Sequence, residues 1–198
     1  MNNIDVDGLS LQMRTNNQAN LRIHDKIKFT VNNSDYIALN YYEAYPENSK
    51  NNFLSIALFK VYNGKPAKLL DKNIIDMGSP DVFESPFLFK SQNSYFIIFP
   101  RCEGKGIFYT YHIYRIRDEI NEIAIDDYYS NPKINTLLKK DEHIYCHGPD
   151  YSFQNENIYG EIAVYKKTDP CCCPTRGKIS FVYRYEDNVF KIVEASRH

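Results

Sequence analysis

Tryptophan is absent from this chain, cysteine occurs only five times, and the net charge is close to zero at -1. No apolar run approaches the ~20 residues that a helix needs to cross a bilayer, so no membrane-spanning segment is expected. The missing basic excess removes the usual signature of a polyanion binder, and nucleic acid is not expected as a partner. The chain has no C-x-x-C spacing, which removes the paired knuckles from which zinc sites are usually read. The first residues, MNNIDVDGLSLQMRT, have neither a basic start nor an apolar core and do not read as a signal peptide. Two histories fit that start: a cytosolic protein, or a mature exported chain in which Met1 replaces a leader, with a lipid anchor in the native precursor. No fixed-period repeat, low-complexity tract or linker stands out, so a single β-rich domain over 1–198 is expected, with a split near residue 80 as the weaker reading.

What the chain does have is aromatic: 17 Tyr and 12 Phe, residue types that suit a pleated, half-buried surface. Rings in the core, with hydroxyls reaching polar partners, are the simpler reading than a stacking platform for sugars or bases. Strand patterns recur over 9–14, 21–31, 36–42, 53–62, 86–89, 95–100, 107–116, 120–125, 158–166, 178–185 and 189–194. Turn-forming residues separate them, among them Asn32-Asn33, Asn63-Gly64 and Asp187-Asn188. The segment 107–116 is apolar or aromatic on both faces, as a central strand should be. One helix is expected over 131–140: Asn131 caps it, Pro132 occupies its first position, and Ile134, Leu137 and Leu138 form its apolar face. The fold class is therefore all-β, a mainly antiparallel sandwich or barrel-like sheet with one short helix. Residues 141–157 read as a polar, irregular loop.

The feature that asks for chemistry is the triplet Cys171-Cys172-Cys173 before Pro174. Zinc would need His143, Cys146 and His147 to converge with Cys172, across two distant segments. A thiol hydrolase would need a triplet cysteine and a base such as His112, His143 or His147, but a strand-bound triplet lacks the helix N-terminus that commonly activates such a nucleophile. Neither a metal nor a cofactor is expected. Asn3, Asp5, Asp7 and Gly8 imitate the first half of a calcium loop, but Leu11 and Arg14 stand where its ninth and twelfth ligands belong. Disulfides explain the triplet best: the residue before proline is extended, so the thiols fork to two sides. A bridge between neighbours is strained, because their Cα atoms are ~3.8 Å apart against the usual ~4.4–6.8 Å. Two triplet members would then bond Cys102 and Cys146, each bridge contributing about 2–4 kcal/mol, in an oxidising compartment.

The run Cys172-Cys173-Pro174-Thr175, followed by Lys178 and the strand over 181–185, resembles the C-terminal element of LppP/LprE-type bacterial envelope lipoproteins. Threonine stands where serine is usual, a third cysteine is added, and no lipobox is visible. The resemblance implies an exported β-rich domain and brings no catalytic residue with it. The expected function is non-catalytic binding of a protein, peptide or glycan in the periplasm or cell envelope, inhibition of an external enzyme being one form. The alternatives are a cytosolic immunity-type protein that neutralises a toxin, and a zinc- or thiol-dependent enzyme.

Overall fold

A computed structural model describes residues 20–44, 52–76, 82–103, 108–117, 119–144 and 148–198. The expected strand over 9–14, the calcium-like residues near the N-terminus, and Cys146 and His147 lie outside the described residues. The fold is all-β, arranged as three stacked layers.

The first layer is an antiparallel meander of β1 (Asn20–Val31), β2 (Ser34–Ala44), β3 (Asn52–Tyr62) and β4 (Lys65–Asp76). Its turns follow from residue type. Asn32 and Asn33 take φ of 48° and 61°, and Asn63 and Gly64 take 48° and 78°; two consecutive positive φ values define the tight hairpin turn that Asn and Gly tolerate best. Register shifts between Ile23 and Asp25, and opposite β4 at Leu54/Ser55 and Leu58/Phe59, mark bulges on both outer strands. Bulges bend and twist the strand that carries them, and the meander curls into a half-barrel. Ile37, Leu39, Tyr41, Ala57 and Phe59 are buried on one face of its two inner strands, and Tyr36, Ala38, Leu54, Ile56 and Leu58 on the other.

The second layer lies between the other two. It consists of β5 (Val82–Phe83) and β6 (Phe87–Ser91), which share one edge of β7 (Ser94–Glu103), then β8 (Phe108–Ile116) and β9 (Asn121–Glu122). Pro86 has no N–H for the ladder and falls in the break between β5 and β6. The strand period of two sends Ile97, Phe99, Tyr114 and Ile116 into the meander's core, and Phe96, Ile98 and Ile113 into the opposite one. This is why 107–116 reads as apolar on both faces. The cluster that joins the first two layers takes residues from both sides of residue 80.

The third layer has the order β10 (Ala124–Ile125), β16 (Val189–Arg197), β15 (Lys178–Glu186), β13 (Asn157–Ala163) and β12 (Asp150–Gln154), with β10 parallel to β16. A separate ladder pairs β11 (Glu142–His143) with β14 (Tyr165–Lys166). The expected single strand over 120–125 is divided. Ile123, buried between β9 and β10, marks where the chain leaves the central sheet for the C-terminal one. The helix α1 (Pro132–Asn135) is one turn long rather than spanning 131–140. Asn131 caps it, its side chain accepting from Lys133 N at 3.0 Å, with Pro132 at its start. Its Ile134 is fully buried, and Lys133 Nζ donates to Ile192 O at 2.8 Å. The turn thus covers the edge of β16 that β10 leaves unpaired, protecting it from pairing with another chain.

Candidate binding groove

The inner face of the C-terminal sheet is used up by packing. Ile179, Phe181, Tyr183, Tyr185, Phe190 and Ile192 close on Phe96, Ile98 and Ile113. Tyr183 and Tyr185 belong to this core, and among the described residues the exposed large apolar side chains are Tyr62 and Tyr129. Two of its hydroxyls find partners, Tyr183 Oη donating to Asp126 O at 3.1 Å and Tyr185 Oη to Asn188 Oδ1 at 3.0 Å. Burial raises the Tyr183 pKa and pushes that of Tyr151 up to about 12.

The outer face is different in kind. Register aligns Asp150, Glu161, Ser180 and Ser196 in one row across four strands, and Ser152, Tyr159, Val182 and Glu194 in the next. With Lys133 of α1 and Thr136 and Leu137 just after it as a rim, these rows line an open groove of about 770 Å³. Asp150 sits directly across from Glu161, and like charges so placed repel. Lys178 relieves this by pairing with Glu161, and its own pKa is raised chiefly by that hydrogen bond and by the charges of Glu161 and Asp150. Glu194 pairs with Arg184 at 3.7 Å. The groove offers hydroxyls, an amide at Gln154, and carboxylates only partly neutralised.

The triplet differs from the sequence-based expectation. Cys173 N donates to Pro170 O at 3.0 Å, so the chain turns through Cys171 and Cys172 instead of running extended. Cys172 Sγ and Cys173 Sγ lie 2.8 Å apart and are exposed. Cys102 sits half-buried on β7, opposite Val82 on one side and Tyr109 on the other. Among the described cysteines, Cys102, Cys171, Cys172 and Cys173, no disulfide is formed. The expected bridge from Cys102 to the triplet is not at disulfide distance here. Bridges to Cys146 lie outside the described residues.

Of the zinc candidates, His143 is buried on β11, stacked on Tyr165 at 5.6 Å, while Cys172 is exposed on the turn. Among the described residues, no group of three His, Cys, Asp or Glu side chains is placed to hold a metal ion. His112 does meet a carboxylate, its Nδ1 lying 3.3 Å from Glu122 Oε1, and Lys72 Nζ reaches Glu122 Oε2 at 2.6 Å. Burial lowers the His112 pKa. This cluster fastens β4 of the meander to β8 and β9, and no cysteine of the triplet joins it.

Sequence reasoning did not find the groove. Its signal was present in Asp150-Tyr151-Ser152-Phe153-Gln154, whose polar and aromatic residues alternate like a strand. No protein-family model and no curated protein matches the chain.

Proposed function

We propose that this protein is a non-catalytic binding domain that holds a cationic segment of a partner protein in the groove on its C-terminal sheet. The observation that carries this reading is the cross-strand pair of Asp150 and Glu161, two carboxylates served by one lysine on an open polar face. A pair of that kind is unfavourable until positive charge lies over it, so a Lys- or Arg-bearing segment gains there what water does not supply. The rows of serines and Gln154 add hydrogen-bonding groups along the same track.

The resemblance of the C-terminal element to envelope lipoproteins supports an exported setting, in which blocking an external enzyme is one use of such a groove. A second setting for the same groove is a cytosolic interaction protein of the immunity type.

Isothermal titration with an oligolysine peptide, an oligoglutamate peptide and a neutral oligosaccharide tests the reading. The oligolysine peptide should bind, and more weakly as salt rises. The double variant Asp150→Asn/Glu161→Gln should weaken binding about tenfold, roughly 1.4 kcal/mol. Equal binding by wild type and variant would overturn it.

A further inference from the structure

The groove leaves unused the exposed turn between β14 and β15, where the three consecutive cysteines stand. That turn is held firmly. Asp169 Oδ2 accepts from Lys166 N at 2.8 Å, from Thr175 N at 3.1 Å and from Thr175 Oγ1 at 2.7 Å. At its far end Val164 N donates to Gly177 O at 2.9 Å and Arg176 N to Val164 O at 3.2 Å. Gly177 takes φ of 82°, and a Cβ there would collide with His198 O. Between these anchors, the Cys173 N to Pro170 O bond sets the turn that brings the sulfurs of Cys172 and Cys173 to 2.8 Å.

That separation discriminates between chemistries. Two thiolates on one tetrahedral zinc, with bonds of ~2.3 Å, sit about 3.8 Å apart. Two sulfurs in a disulfide sit at ~2.05 Å. The observed pair is already closer than chelation of zinc requires, and little motion separates it from bond formation. Adjacent cysteines close a tight ring, because their Cα atoms are nearer than a relaxed bridge prefers. Exposed, strained bridges are the ones that thiols reopen readily. Both features describe a reversible site, not a structural staple.

We propose that Cys172 and Cys173 form a dithiol exchange site that reacts with low-molecular-weight disulfides and closes to a vicinal disulfide. Cys172 thiolate attacks one sulfur of R–S–S–R. That S–S bond breaks, R–S⁻ leaves, and a mixed disulfide forms on Cys172. Cys173 then gives up its proton and attacks the Cys172 sulfur, expelling the second R–S⁻. The pair is oxidised by two electrons, the small disulfide is reduced to two thiols, and those thiols take the two protons. Either sulfur can donate in the contact between them; Cys172 is taken as the first nucleophile and Cys173 as the second. Asp169 is a positioning residue, holding the turn without touching either sulfur.

The test uses the reduced full chain treated with glutathione disulfide, then iodoacetamide, with mass mapping of the tryptic peptide 168–176. The peptide should lose two hydrogens, retain one alkylated thiol at Cys171, and carry no lasting glutathione. Cys171→Ser should close in the same way, whereas Cys173→Ser should stop at a glutathione adduct on Cys172. Asp169→Asn should leave more of that adduct at equal times. The proposal is overturned if wild type accumulates the adduct, if Cys173→Ser closes as readily through Cys171, or if the new bridge maps to Cys102 or Cys146.

Discussion

Removing one charge from the C-terminal strand's anchor gives the sharpest energetic test of this fold. Arg197, near the end of β16, grips Glu142 with two parallel bonds, Nη1 to Oε2 at 2.6 Å and Nη2 to Oε1 at 2.8 Å. The same guanidinium donates to Leu137 O at 2.9 Å and to Arg176 O at 3.0 Å, while Lys139 N donates to Glu142 Oε2 at 2.8 Å. One ion pair thus ties β16 to the segment after α1, to β11 and to the cysteine-bearing turn. The Glu142 side chain is 1% exposed and that of Arg197 23%. The Arg197 hydrogen bonds, opposed by burial and helped by the Lys139 N–H, hold the Glu142 carboxyl at about 2, against an ordinary 4.5.

A carboxyl with a lowered folded pKa stabilises the protein above its unfolded pKa and loses that contribution as pH falls through the folded value. The window here runs from about pH 4.5 down to about 2. At ~1.4 kcal/mol per pKa unit the full drop corresponds to about 3 kcal/mol, and screening at the partly exposed arginine reduces it to about 2 kcal/mol. Urea unfolding of wild type and Glu142→Gln, side by side, measures it. The variant should be about 2 kcal/mol less stable at pH 7, and the gap should shrink to less than half of that at pH 3. A gap of the same size at both pH values would refute the electrostatic account and leave only lost packing.

Two further outcomes follow from single positions. Gly160 faces Phe181 directly across the ladder, and a Cβ there would lie 2.5 Å from the ring's Cζ; Gly160→Ala should cost about 1–3 kcal/mol in chemical denaturation, and Phe181→Leu in the same chain should recover part of it. At the tip of the last hairpin, Asn188 holds φ of 64° while its Oδ1 accepts from buried Arg115 at 2.8 Å. Asn188→Gly should cost about 1 kcal/mol from the lost acceptor alone, and Asn188→Ala about 1 kcal/mol more from the left-handed backbone. Equal losses from the two substitutions would contradict that division.

Much of the strand order was readable because local chemistry left few alternatives. Asn32-Asn33, Asn63-Gly64 and Asp187-Asn188 fall where both φ angles are positive, and few other residues sit there cheaply. β4 escaped because its two bulges break the alternation: Leu69 reaches the core beside Leu70 and Ile74, out of phase with both. The helix shrank to one turn because its work is local, covering β16 with Ile134 and Lys133. The triplet was misread for a clear reason. The rule for a residue before proline governs Cys173 itself and was extended to its neighbours, whereas the hydrogen bond to Pro170 O bends the chain through Cys171 and Cys172.

The groove was hidden by a different cause. Strand polarity alone says which residues avoid the core, not which of them become neighbours. Asp150 and Glu161 are eleven residues apart in sequence, and only the β12–β13 register makes them face each other. That register is set by the Asn155-Glu156 turn, with φ of 49° and 62°, and by Phe153 and Ile158 facing inward as a pair. A slip by one residue would send every groove side chain into the core and every core ring into water. The apolar alternation that fixes the fold is therefore also what aligns the carboxylates. The groove costs the protein little beyond the Asp150–Glu161 repulsion, which Lys178 offsets only in part.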